Sequence, residues 1–223
     1  MGVVYLSVQY VASGQGHLDR LPCMIRIKHE GSAQTKVVVI DWGSQMISPL
    51  TELTQLSSDM IRSHGTTFER AVAMVRSEMT PDTVIVGMNM KRHVHALHLC
   101  RNVHYGSYVD LTSLLKIRHG RRWHFLPLET IARVLGFDQS GNHPIDDLAM
   151  VQHVSMLCLT EPQISSVIDQ LRGHLITRTR SNASHIYSID GVCTSAYNER
   201  HCSCQQMTLK PQSNHPMKAP ARI

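Results

Sequence analysis

The chain has 223 residues, 42% of them hydrophobic, which is enough to bury a full core and fits one domain followed by a tail. Charged residues make up only 17%, with a formal net charge of +5 and a pI near 9.0, a balance that permits contact with phosphate backbones without establishing it. No apolar run approaches the roughly 18 residues a membrane span needs, and Met1–Ala12 lacks the charged start and small-residue cleavage site of a signal peptide. The expectation is an intracellular protein, nuclear or cytoplasmic and not secreted, with no membrane contact and its six cysteines reduced.

In chain order, Val3–Val11 reads as a strand whose polar residues Ser7 and Gln9 alternate onto one face. A Gly-containing loop follows over Ala12–Asp19. Leu21–His29 and Lys36–Trp42 read as two further strands, joined by a short Gly-Ser turn as an antiparallel hairpin. Thr51–Ile61 reads as a short helical or turn-like stretch. Thr66-Thr67-Phe68-Glu69 has the pattern of a capping box, and Ala71, Val72 and Val75 then share a helical face.

Thr83–Val86 is a compact β-branched run of buried-strand type, broken by Gly87, after which Met90, Val94 and Leu97 recur at helical spacing. Tyr108–Leu111 is expected as a fifth strand. Helices are expected over Pro127–Leu135, Asp146–Cys158 and Pro162–Leu175, the last with an apolar stripe of Ile164, Val167, Ile168, Leu171 and Leu175. Strands followed by alternating helices and strands make a mixed α/β layer fold. The expected division is a domain over 1–177 and an irregular, partly disordered tail over 178–223, where Ser, Asn, His and Pro dominate.

The segment Thr83–Leu99 resembles the second motif of the DEDDh 3′–5′ exonucleases, a strand, a glycine and a helix that delivers a metal-binding aspartate. Together with Ser48–Met60, Asp110-Leu111-Thr112 and Gly141–Asp147, it falls in that family's order over residues 3–158. It is most similar to the subgroup containing RNA exonuclease 4 and the interferon-stimulated exonuclease. The resemblance implies an RNase H-like exonuclease fold, with a mixed five-stranded sheet flanked by helices. It also implies a centre in which four carboxylates hold two divalent ions and a histidine helps activate water.

The residues at those positions depart from that chemistry. The first motif aligns with Ser7-Val8-Gln9, the second aspartate with His93, the histidine with Asn142 and the last aspartate with Asp147. Mg²⁺ and Mn²⁺ need hard anionic oxygens, and of these five residues Asp147 alone supplies them. A one-residue slip would restore His143 but not the missing acids. Asp146 neighbours Asp147 but points about 100° away on a helix. Asp19 and Asp41 qualify by residue type alone. The resemblance thus implies a decayed centre, with Ser7, Gln9, His93, Asn142 and Asp147 as its vestige and no catalytic residue expected.

Lys91 and Arg92 precede His93, and Lys116–Trp123 (KIRHGRRW) adds Arg118, Arg121 and Arg122 in what reads as a loop between a strand and a helix. These five basic residues are the candidate nucleic-acid contacts. Trp123 is expected to be a core or hinge residue, because Phe125 and Leu126 beside it point to burial. His95 and His98 stand three apart and would share a helix face. Cys202-Ser203-Cys204 beside His201 gives a weak zinc candidate that would need Cys193 or a partner chain to complete four ligands.

The functional expectation is a pseudo-exonuclease module without a cofactor, binding single-stranded RNA or a protein partner in RNA metabolism or RNA silencing. Two alternatives stay open. One is an active exoribonuclease that uses Mg²⁺ or Mn²⁺ through a non-standard ligand set. The other is a structural subunit whose Pro162–Leu175 stripe pairs protomers as a homodimer.

Overall fold

The structure is a computed structural model that describes residues 2–137, 147–178 and 188–194. β1 (Val3–Ala12) and β2 (Arg20–His29) are long antiparallel partners, and β3 (Lys36–Val39) adds to the outer edge of β2. Two short helices follow, α1 (Thr51–Thr54) and α2 (Ser58–His64), where the sequence suggested one stretch over Thr51–Ile61. They separate because Gln55 takes a left-handed conformation and Ser57 then caps α2, its side chain accepting from the Met60 N–H. α3 (Phe68–Arg76) starts one residue later than a cap at Thr66 would place it: Thr67 accepts from the Arg70 N–H.

β4 (Val84–Gly87) runs parallel to β1, α4 (Met90–Ala96) follows, and β5 (Ser107–Asp110) pairs parallel with β4. The result is one mixed five-stranded sheet in the order β3-β2-β1-β4-β5, with the expected β2–β3 hairpin at one edge. α5 (Leu111–Leu114) is capped by Asp110, whose side chain accepts from the Thr112 N–H. Next come β6 (Ile117–His119) and β7 (Arg122–His124), then α6 (Leu128–Val134), α7 (Asp147–Met156) and α8 (Glu161–Arg178).

Alternation along β1 divides the core in two. Leu6 and Val8 face one side, with Ile25, Ile27 and Ile85 of the neighbouring strands, against Ala71, Val72 and Val75 of α3 and Met90 and Val94 of α4. Tyr5 and Val86 face the other side, against Ile131 of α6, Leu148, Val151 and Val154 of α7, and Val167 and Leu171 of α8. The α8 stripe is therefore spent inside its own chain, with Ile168 and Leu175 packed on the same cluster. That packing corrects the expectation that the stripe pairs two protomers.

Lys116–Trp123 is also not the loop it resembled. β6 and β7 pair antiparallel around Gly120-Arg121, with Arg118 opposite Trp123 and His119 opposite Arg122. Gly120 has φ 60°, a conformation that costs glycine little. Within the stretch expected to be irregular, β8 (Ser188–Ile189) and β9 (Val192–Cys193) form a second small hairpin. Its Ile189 and Val192 pack on Ala12 and Leu50. Polar bonds hold it as well: Ser48 Oγ donates to Asp190 Oδ2 at 2.6 Å, and Arg20 Nη2 donates to the Cys193 carbonyl at 2.7 Å.

Candidate functional site

β4 pairs with β1 only from Val3 to Tyr5, so β1 continues past the carboxyl end of β4 and leaves a cleft beside it. The close approach there depends on Gly87, where a Cβ would run into the Leu6 carbonyl oxygen and the Met90 sulfur. The cleft has a volume of about 770 Å³, and its walls include Ser7, Tyr10, Arg92, His93, Trp123 and Asp147.

On one wall, Ser7 and Gln9 project from the face of β1 that α7 covers. Ser7 Oγ donates to Asp147 Oδ2 at 3.3 Å and Gln9 Nε2 donates to the same oxygen at 3.1 Å. The carboxylate fixes the Gln9 amide, because turning it over would set two acceptors against each other. Gln9 Oε1 is left buried without a hydrogen-bond partner among the described residues.

His93 belongs to a different arrangement. Its ring is only 7% exposed, stacks on Tyr10 with centroids 5.6 Å apart, and has Nδ1 2.8 Å from the Tyr10 hydroxyl. Burial, helped by the neighbouring Arg92 charge, pushes its pKa down to about 3 from 6.5, so the imidazole is neutral at neutral pH. The Arg92 guanidinium carbon sits 4.1 Å over the Tyr10 ring, within cation–π range.

Two divalent cations would need several hard anionic oxygens at this point. The described cleft residues include two carboxylates: Asp147, which already accepts two neutral donors, and Glu129, exposed in the first turn of α6. Among the described residues no three acidic, histidine or cysteine side chains gather as a metal site. The described donor set does not fit a two-ion centre. Asp19 and Asp41 are engaged in their own loops, accepting from the Gly16 and Gly43 N–H groups. Asn142, His143 and Asp146 lie outside the described residues, as do His201, Cys202 and Cys204; Cys193 is buried in β9.

Of the five basic candidates, Lys91 and Arg92 are exposed at the start of α4 and line open grooves, whereas Arg118, Arg121 and Arg122 sit exposed on the β6–β7 hairpin and line neither. Trp123 corrects the expectation of burial. It is 53% exposed and Phe125 is 56% exposed, and both face the cleft with Lys116 Nζ 4.9 Å from the Trp123 ring centre. His95 and His98 do not share a helix face, since α4 ends at Ala96 and His98 has φ 49°. Sequence reading missed Tyr10 and Glu129. Tyr10 follows Gln9 at a register shift in the β1–β2 pairing, and nothing in the local sequence announces that shift.

No protein-family model matches the sequence, and no curated protein matches it. Solved structures match in shape. The pseudoubiquitin hydrolase–RNA exonuclease module of Saccharomyces cerevisiae Pan2, in complex with AAGGAA RNA, aligns with a TM-score of 0.54 at 18% identity, over 78% of this chain and 32% of that one. Escherichia coli exonuclease I, in complex with a dA16 oligonucleotide, aligns with a TM-score of 0.53 at 16% identity, over 78% of this chain and 43% of that one.

The fold is exonuclease-like. Its structural neighbours are DEDDh-type exonucleases, and the mixed sheet with flanking helices is the expected architecture. At these identities the likeness concerns the fold alone, and the chain spans less than half the length of these neighbours. Among the described residues no helix of this exonuclease-like fold is long and apolar enough to cross a membrane.

Proposed function

We propose that this chain is a catalytically inactive exonuclease-like module that binds single-stranded RNA, with its cleft descended from an active site of the resembled subgroup. The observation that carries the reading is the state of Asp147. Its Oδ2 accepts from Ser7 and Gln9, the two residues that stand where the resemblance places metal-binding acids. Neutral donors satisfy the carboxylate where cations would otherwise be held, and His93 turns to Tyr10 instead.

Support for RNA comes from the cleft itself. Trp123 and Phe125 offer faces for base stacking, and Arg92 offers a cation for phosphate. The Pan2 module, which shares the fold, was solved with RNA bound.

Purified protein given Mg²⁺ or Mn²⁺ is expected to leave a labelled single-stranded RNA at full length while retarding it in a binding assay. Metal-dependent trimming from the 3′ end that Asp147→Ala abolishes would replace this reading with that of an active exoribonuclease.

A further inference from the structure

The cleft does not end at the vestigial site. A second groove, of about 1210 Å³, opens on the other side of Arg92, and the two share Tyr10, Asn89, Arg92 and Thr112 as common wall. Arg92 and Tyr10 thus border both openings. Arg92 is exposed where the two openings meet, held over the Tyr10 ring and, among the described residues, not in an ion pair with an acid.

Exposed aromatic surface stands at one end of the combined path, and half-buried aromatic residues stand at the other. Trp123 and Phe125 line the first cleft, while Trp42 and Phe68 pack on each other with centroids 5.2 Å apart along the second groove, beside exposed Lys91. Exposed aromatic faces at one end and the exposed cations Arg92 and Lys91 along the path suit a flexible polyanion carrying flat bases.

We infer that the two grooves form a through-track that grips an internal stretch of single-stranded RNA and does not require a free 3′ end. This inference rests on the RNA-binding reading and deepens it. The strand lies with bases against Trp123 and Phe125, its backbone passes Arg92, and it continues along Lys91 toward Trp42. Because both grooves are open to solvent, a strand can enter sideways without being threaded.

The test compares three forms of one unstructured oligoribonucleotide in EDTA: linear with a 3′-hydroxyl, linear with a 3′-phosphate, and covalently circular. The expected result is comparable affinity for all three, with a spread well below tenfold. Arg92→Ala is expected to weaken every form by about tenfold, roughly 1.4 kcal/mol, while circular dichroism shows an unchanged fold. Trp123→Ala serves as a second variant on an exposed side chain and should weaken all three in parallel.

Binding of the 3′-hydroxyl form alone would overturn the through-track and leave the RNA-binding reading standing. Absence of binding to any form would overturn both. Displacement of the RNA by polyglutamate at equal charge would also overturn it, pointing to an acidic protein partner instead.

Discussion

On the α7 side of β1, Ser7 and Gln9 turn their donors onto Asp147, so the donors of that wall are spent internally and Gln9 Oε1 is the buried acceptor left over. On the hairpin side, Trp123 and Phe125 leave about half of their surface to water and Arg92 lies over the Tyr10 ring, without an acidic partner among the described residues. Both walls border one cleft, yet one is closed by internal bonds and the other is left available. A ligand gains little by competing on the first wall for Asp147 Oδ2, since a bond it makes there displaces one already formed. It gains most on the second, where stacking removes exposed aromatic surface from water. A wall engaged in internal bonds and a wall open to a ligand are therefore compatible in one cleft.

The comparison can be broken most severely from beneath. Ile85 is fully buried in β4, the strand whose end creates the cleft. Ile85→Ala should cost on the order of 2–4 kcal/mol in chemical denaturation. A loss within about 0.5 kcal/mol, typical of surface changes, would mean that β4 is peripheral and that both walls are misplaced.

Next in size is the pH response of His93. Its folded pKa lies near 3 and its ordinary value is 6.5, so the unfolded chain binds more protons between those limits. The contribution to stability is complete above pH 6.5 and is lost progressively as the pH falls toward 3, by up to about 3 kcal/mol near pH 4. His93→Phe should flatten that part of the stability profile, and an unchanged slope would show that His93 is not held neutral by burial.

The closed wall can be sharpened by Asp147→Ala, which strands the Ser7 and Gln9 donors and should cost about 1–3 kcal/mol. Asp147→Asn keeps an acceptor and should recover part of that loss. Equal losses in the two variants would mean that the hydrogen bonds to Oδ2 do not hold the wall together.

The smallest stability effect belongs to the open wall. Trp123→Ala should change folding stability by less than about 0.5 kcal/mol yet weaken RNA binding by about 1–3 kcal/mol if one base stacks there. A large stability loss without a binding loss would return Trp123 to the role of a packing residue.

The sheet was legible because its strands carry unambiguous patterns. Val84-Ile85-Val86 reads as a buried strand, and the alternation of Ser7 and Gln9 with Leu6 and Val8 marked the polar face that meets Asp147. Ser7, Gln9, His93 and Asp147 were picked out by position along the chain, but their partners were not. Nothing in the sequence says that Tyr10 rather than an acid attends His93, because that pairing joins residues 83 apart.

The hairpin was misjudged for a different reason. Trp-His-Phe-Leu at 123–126 looks like a core segment by hydrophobicity, yet Gly120-Arg121 between short alternating runs is a two-residue turn signal, with glycine at the first central position. Reading that turn would have put Arg118 and Trp123 on one face of a two-stranded ribbon too small to bury both sides. The α8 stripe was legible as a helix face, but periodicity does not reveal whether a face meets its own chain or another.

The β8–β9 hairpin bears on how fragments of this chain would behave. A fragment cut at residue 177, where the helical pattern stops, would strip Ile189 and Val192 from Ala12 and Leu50. It would also take Asp190 from Ser48 and the Cys193 carbonyl from Arg20. Two apolar side chains would then face water beside a hydroxyl that has lost its acceptor, at the end of the longest strands. Such a fragment would be prone to self-association for a reason unrelated to RNA, and its stickiness would mimic a binding partner in a pull-down. Extending the fragment through Thr194 keeps that patch covered.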